Sequence, residues 1–299
     1  MNYPVDKIKD YVYLLYNLEN VFSLNLNEII ESEFENAFEI LEKLGIIEYI
    51  KREYKIDYKK PKLEILRNNS LFKGVYSPSE NKIIFSKKSI EEEIDDQLKI
   101  FKLQKTKRYI NNIRGIKYLN KSYNLIFLYP FYINEENIRK AIAEAIIRSI
   151  MFHEIWHFID FSILHKLKKD SDIKDREYLL AILNNPNNRE LRASAFEVVM
   201  YYLVNGFHKD ENGYITASSN ILICTHIYGN HIEKININRI ISYELGFCYG
   251  NAIVAKYKSS LEENIYNIID DLIHLDKERA IDVIKLYGDN LKKRLYGWI

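Results

Sequence analysis

The stretch MFHEIWHFID, residues 151–160, determines how the rest of the chain is interpreted. It lies within a long segment, about 135–168, whose apolar residues recur at steps of three and four, which predicts a single helix. His153 and His157 are four residues apart, so both imidazoles lie on one face of that helix and can reach one ion. Glu154 directly follows the first histidine. This H-E-x-x-H pattern indicates a metal site with an adjacent carboxylate, whereas the alternative is one turn of an ordinary buried helix.

Zinc is the metal that this pattern favours. It binds imidazole nitrogen and carboxylate oxygen in tetrahedral geometry, and a catalytic site uses three protein ligands and keeps one position for water. The ion lowers the pKa of that water towards about 7. Glu154 can then act as the general base, taking the proton and passing it to a leaving amine.

The third ligand is not fixed by the motif, because no histidine follows His157 at the spacing of the longer zinc motifs. The segment NNRELRASAFEVVMYYL predicts a helix from Asn187, and Glu190 lies near its start, 33 residues after His157. We expect Glu190 to be the ligand, although Asn187 as an N-cap would make it a capping-box glutamate instead. Glu197, on the same helical face, and Asp160 remain alternatives.

Asp160 lies one turn beyond His157 on the helix that carries the motif. Three ligands from one straight helix do not converge easily on a single ion. We therefore expect Asp160 to act behind the ligands, as an acceptor that orients a ligand histidine or a substrate group.

The remaining pattern predicts an α+β fold in which helix dominates. Strands are expected at KLEIL (62–66), on both sides of a turn in GVYSPSENKIIFS (74–86), and at the apolar NLIFLYPFY (124–132). Gly45 is expected to end a helix, while Gly246 and Gly250 permit close helix packing. The predicted helices span about 6–16, 27–44, 89–109, 135–168, 173–184, 188–204, 217–228, 237–257, 261–274 and 277–296.

Composition narrows the class of protein. The chain has 299 residues, 47% of them hydrophobic, and a formal net charge of +1. Its two cysteines, Cys224 and Cys248, imply no disulfide framework and fit a reducing compartment. No signal peptide or membrane span is evident, so we expect a cytoplasmic protein. A nucleic-acid partner is not expected at this net charge, despite a basic segment at 99–121.

Two stretches together carry a resemblance to a known family. HEIWHFID, followed by ELRASAFEVV (190–199), resembles the gluzincin zinc peptidases of the lethal-factor and Pro-Pro endopeptidase group. Phage-type metallopeptidases of the anti-repressor-cleaving group have a similar glutamate helix, and their tyrosine-containing hairpin is similar to 74–86. The resemblance covers about 70–205. Only the H-E-x-x-H motif within it is highly specific.

The resemblance implies a zincin-like core with a small sheet and an active-site helix. It makes His153, His157 and Glu190 the zinc ligands, Glu154 the general base, and the protein an endopeptidase that acts on a protein or peptide. The expected division is a helical N-terminal region (1–60), a catalytic core (61–205) and a helical C-terminal region (206–299). An extended substrate would add to a sheet edge, for which 82–85 is favoured over 124–132.

One departure leaves other functions open. The lethal-factor group has a catalytic tyrosine seven residues before the ligand glutamate, and this position is Leu183 here. A donor for the transition state would then come from elsewhere. The alternatives are a non-catalytic regulatory protein with a retained zinc site and a DNA-associated metalloprotease that uses 99–121. The oligomeric state stays open. The candidate donors are Tyr178, Tyr201, Tyr202, His226 and His231.

Overall fold

The structure is a computed structural model that describes residues 25–68, 71–95, 138–173, 175–205, 208–209, 215–216, 237–257 and 260–283. Several predictions from sequence lie outside these residues. They are the helices at 6–16 and 217–228, the strand at 124–132, the basic segment 99–121, and the positions of Cys224, His226 and His231.

The described chain begins with two helices, of which the first packs on the long helix carrying the motif. Helix α1 spans Leu26–Lys43 and α2 spans Ile46–Tyr54. Gly45 lies between them with a φ of +69°, a left-handed conformation that glycine adopts without strain, and this confirms it as the end of α1. Helix α2 was not predicted.

A three-stranded sheet follows, formed by β1 (Lys62–Leu66), β2 (Gly74–Ser77) and β3 (Lys82–Ser86). All three strands match the sequence prediction. Their order is β1-β3-β2, with β3 parallel to β1 and antiparallel to β2. The favoured substrate edge at 82–85 was therefore wrong, because β3 is the central strand. Among the described strands, β2 and β1 form the edges.

Helices make up most of the remaining described chain. They are α3 (87–95), α4 (Ile138–Lys169), α5 (Arg176–Asn184), α6 (Pro186–Asn205), α7 (Ile237–Tyr257), α8 (Ile265–Ile273) and α9 (277–283). A short antiparallel pair, β4 (His208–Lys209) and β5 (Ile215–Thr216), lies between α6 and α7. The α+β class with dominant helix is confirmed. None of the described helices combines the length and apolar character needed to cross a membrane.

Close contacts hold α1 against α4 and α7 against α6. Phe38 of α1 packs edge-on against Phe158, with ring centroids 6.4 Å apart. A Cβ on Gly246 of α7 would lie 2.4 Å from the carbonyl oxygen of Leu191, so α7 packs on α6 at glycine distance, as predicted. Buried residues from all three predicted regions form one hydrophobic cluster. The three-domain division stays a prediction.

Candidate metal centre

Helix α4 presents the two histidines on one face, and its neighbouring aromatic side chains are buried in the core. His153 and His157 have side chains 5% and 13% exposed, and their ring centroids are 4.9 Å apart. Trp156 is fully buried and packs on Phe196 of α6, with ring centroids 4.7 Å apart. Phe158 is also buried. These aromatic residues hold the helix in the core, and the histidines face Glu190 of α6.

Helix α6 begins two residues earlier than predicted. Its first residue is Pro186, and the side chain of Asn185 accepts a hydrogen bond from the backbone N–H of Asn187 at 2.9 Å. Asn185 is therefore the N-cap, and the alternative in which Asn187 has that role is excluded. Proline at the first helical position explains the shift. Glu190 then lies too far into the helix to serve as a capping-box residue.

The structure brings His153, His157 and Glu190 together. The Oε2 atom of Glu190 lies 3.2 Å from Nε2 of His153 and 3.5 Å from Nε2 of His157. One donor atom from each side chain lies within 4.8 Å of the others, so this group could hold a metal ion. Glu190 and His157 keep 12% and 13% of their side chains exposed, so the group is not sealed from solvent.

Glu197 lies on the other side of the His153 ring. Its Oε2 atom is 3.4 Å from Nδ1 of His153, and its Oε1 atom accepts a hydrogen bond from Ser149, one turn before His153 on α4. An ion bound at Nε2 of His153 is therefore not shared by Glu197. This geometry decides between the two glutamates that the sequence left open, in favour of Glu190.

Asp160 does not contact either histidine through a hydrogen bond. Its carboxylate instead accepts two hydrogen bonds from Nε and Nη2 of Arg192, at 3.0 and 2.8 Å, and both side chains are fully buried. The hydrogen bonds of Asp160 thus go to Arg192 and not to a ligand histidine, and the alternative that it orients a substrate group stays a prediction. Asp160 ties α4 to the helix that carries Glu190.

Glu154 faces the sheet. Its Oε2 atom accepts a hydrogen bond of 2.8 Å from the backbone N–H of Tyr76 in β2, and the residue is 6% exposed. Strand β2 can approach this closely because of Gly74. A Cβ there would lie 2.4 Å from Cγ2 of Ile150 and 3.3 Å from Cγ of Glu154. The sheet edge therefore fixes the carboxylate next to the first histidine.

The electrostatics of the group are those of a cation site. Burial disfavours a charge on His153, but the carboxylates of Glu190 and Glu197 beside the ring outweigh it and raise its pKa to about 10. Burial also disfavours the charge of Glu190, whereas the two histidines lower its pKa well below the usual range. The carboxylates thus favour positive charge where a proton and a metal ion compete.

Sequence reasoning missed Tyr243 of α7. Its ring stacks on His153 with centroids 5.5 Å apart and an angle of 22° between the planes. The available signal was its position three residues before Gly246, on the face that packs against α6. Leu183 is fully buried in the core, and the Tyr178 hydroxyl donates to Asp276 at 3.0 Å, so neither faces the group. Side-chain contacts of Tyr201 and Tyr202 lie outside the described structure.

Two imidazole nitrogens and one carboxylate oxygen form a donor set suited to divalent transition metals, and the identity of the metal is open. A second carboxylate, Glu154, lies next to this set and is held in place. Such a centre can bind an ion and move a proton beside it. No family model, curated protein or solved structure matches the chain.

Proposed function

We propose that the protein is a zinc-dependent endopeptidase with a zincin-like core of the gluzincin type. One observation carries the proposal. The donor atoms of His153, His157 and Glu190 converge within 4.8 Å, and the fixed carboxylate of Glu154 follows the first ligand directly in the chain. A structural zinc site needs ligands, but it does not need an additional anchored carboxylate.

His153, His157 and Glu190 would hold the ion. Zinc at this position supplies a Lewis acid that polarises a carbonyl and lowers the pKa of water. Glu154 takes a proton from the attacking water and passes it to the leaving nitrogen of the peptide. The Tyr76 N–H restricts the Glu154 side chain, so little reorganisation is needed for either transfer.

The substrate would lie along β2, the described sheet edge that contacts Glu154. Tyr76 pairs with Ile83 of β3 and directs its N–H to the other side of the strand, where it meets Glu154. A peptide extended along this edge would bring its carbonyl groups next to the metal centre. Main-chain pairing of this kind selects extended chains and leaves the choice of sequence to side-chain pockets.

The test compares wild type with Glu154→Gln on a library of quenched fluorescent peptides, in the presence of zinc. Glutamine keeps an oxygen that can accept the Tyr76 N–H, so the fold and the metal content should be unchanged. It cannot take the proton, so we expect kcat/KM to fall at least about 100-fold. Cleavage by Glu154→Gln at the wild-type rate would refute the role of Glu154.

The buried Leu183 favours a second candidate, a non-catalytic protein that keeps the metal site. This position cannot supply a donor to a transition state, since its side chain lies in the hydrophobic core. The two candidates differ in one result. A protein that binds zinc but cleaves none of the library, nor intact denatured proteins, would support the non-catalytic candidate.

A further inference from the structure

Glu197 is a carboxylate buried beside the proposed centre that none of the assigned roles uses. The residue is 1% exposed and lies seven positions after Glu190, on the same face of α6. Its Oε1 atom is held by Ser149. Its Oε2 atom faces Nδ1 of His153 at 3.4 Å.

Two buried polar atoms that face each other are left without a hydrogen bond. Within the described part of the chain, neither Oε2 of Glu197 nor Nδ1 of His153 has a hydrogen-bond partner of ordinary geometry. A buried polar atom without a partner costs about 1–3 kcal/mol. A small rotation of the imidazole would join them, because the carboxylate is already fixed by Ser149.

We propose that Glu197 is a positioning residue of the metal centre, which accepts the Nδ1–H of His153 and thereby turns Nε2 towards the ion. The inference rests on the metal site of the proposed function and goes beyond it. A carboxylate behind a ligand histidine fixes its tautomer, orients the ring and makes the coordinating nitrogen more basic.

The described contacts of Glu197 include no lysine or arginine, so the Nδ1–H of His153 would supply a polar partner for Oε2. A buried charge is stable only when it is paired. Metal bound at Nε2 withdraws electrons from the ring and strengthens the Nδ1–H as a donor to Glu197. The series of contacts from Ser149 to Glu197 to His153 would therefore make the affinity for the ion depend on how α6 packs on α4.

The first readout is the zinc dissociation constant, measured by competition with a chromophoric chelator. We expect Glu197→Gln to weaken binding about 10–100-fold, the effect of removing such a partner in other metal centres. Ser149→Ala should weaken it less, since it frees the carboxylate without removing it. Glu177→Ala serves as the matched control, because Glu177 is an exposed glutamate on α5 and should leave the constant unchanged.

The second readout separates positioning from packing. In zinc-loaded protein with ¹⁵N-labelled histidine, the His153 signal, assigned by its loss in His153→Ala, should show a proton on Nδ1 and none on Nε2. This measurement uses the wild type, so it tests the orientation of the His153 ring even if Glu197→Gln does not fold. The opposite tautomer would overturn the proposal.

A purely structural role for Glu197 predicts a different pattern. Glu197→Gln would then lower Tm equally with and without zinc, and the zinc dissociation constant would not change, which would overturn the inference. Zinc binding with the expected losses but without peptide cleavage would refute the peptidase function alone. A well-folded wild type that binds no zinc would refute both proposals.

Discussion

Asp160 and Arg192 form a fully buried ion pair that joins the helix of the two histidines to the helix of Glu190. The guanidinium donates to both carboxylate oxygens, and its Nη1 also donates to the carbonyl of Leu275, 3.1 Å away. One arginine therefore connects α4, α6 and the turn after α8. The ion pair thereby holds together the two helices that carry His153, His157 and Glu190.

Removal of one partner of the Asp160–Arg192 pair should strongly lower the stability of the fold. Asp160→Ala leaves the Arg192 charge buried and uncompensated, so we expect the free energy of unfolding to fall by about 3–5 kcal/mol. Urea denaturation monitored by circular dichroism measures the loss. In a double-mutant cycle, Asp160→Leu with Arg192→Leu should cost clearly less than the sum of the single changes. Additive costs would contradict a coupled pair.

A change at Gly74 should alter the position of the proposed base, Glu154, without altering zinc binding. Gly74→Ala places a methyl group 2.4 Å from Cγ2 of Ile150, so β2 must move away from α4 and stretch the hydrogen bond from Tyr76 to Glu154. We expect kcat of peptide hydrolysis to fall about 10–100-fold, while zinc content is unchanged. Ile150→Ala in the same chain removes the clash and should restore part of the rate. A Gly74→Ala enzyme with wild-type kcat would show that this contact is not needed.

Zinc binding should release a proton from His153. Its pKa of about 10 in the metal-free protein lies above the ordinary value of 6.5, so the ring is protonated at neutral pH. Glu190 has a lowered pKa and contributes no proton. Zinc affinity should therefore rise about tenfold per pH unit between pH 6 and 8, for this proton alone. Calorimetry in buffers of different ionisation enthalpy measures how many protons are released when zinc binds. Binding heats that do not depend on the buffer would contradict the prediction.

The same pKa has a consequence for the metal-free fold. A histidine whose pKa is raised on folding stabilises the protein fully below about pH 6.5, and this contribution disappears as the pH rises through about 10. In the presence of zinc the ion takes the place of the proton. The free energy of unfolding should then no longer fall between about pH 6.5 and 10 because of His153.

Tyr243 should act on the centre through its ring. Tyr243→Ala removes the surface stacked on His153, and we expect zinc affinity to fall about three- to tenfold, the effect of one aromatic contact. Tyr243→Phe keeps the ring and should retain the affinity. Chelator competition on both variants provides the test. Equal losses in the two variants would assign the effect to the hydroxyl instead of the ring.

Local patterns predicted the parts of the site that depend on local geometry. Two histidines four residues apart in a helix must share a face. In the structure they lie together, next to Glu190. The strands at 62–66, 74–77 and 82–86 were also visible, because alternation and a turn are features of short range.

Long-range pairing was not visible. The parallel pairing of β3 with β1 places 82–86 at the centre of the sheet, and no local pattern specifies it. The partner of Asp160 is 32 residues away in the chain, and Tyr243 reaches His153 only through the packing of α7 on α6. The cap of α6 was available in principle, since Asn185 before Pro186 is a common helix start.

The most direct test of the account is the zinc content per chain of wild type, Glu190→Ala and the exposed-glutamate control Glu177→Ala, measured by elemental mass spectrometry. We predict about one zinc per chain in wild type and control, and a large loss in Glu190→Ala. Equal zinc in all three proteins would contradict the assignment of Glu190 as a ligand. A well-folded wild type without zinc, after supplementation, would contradict the metal centre itself.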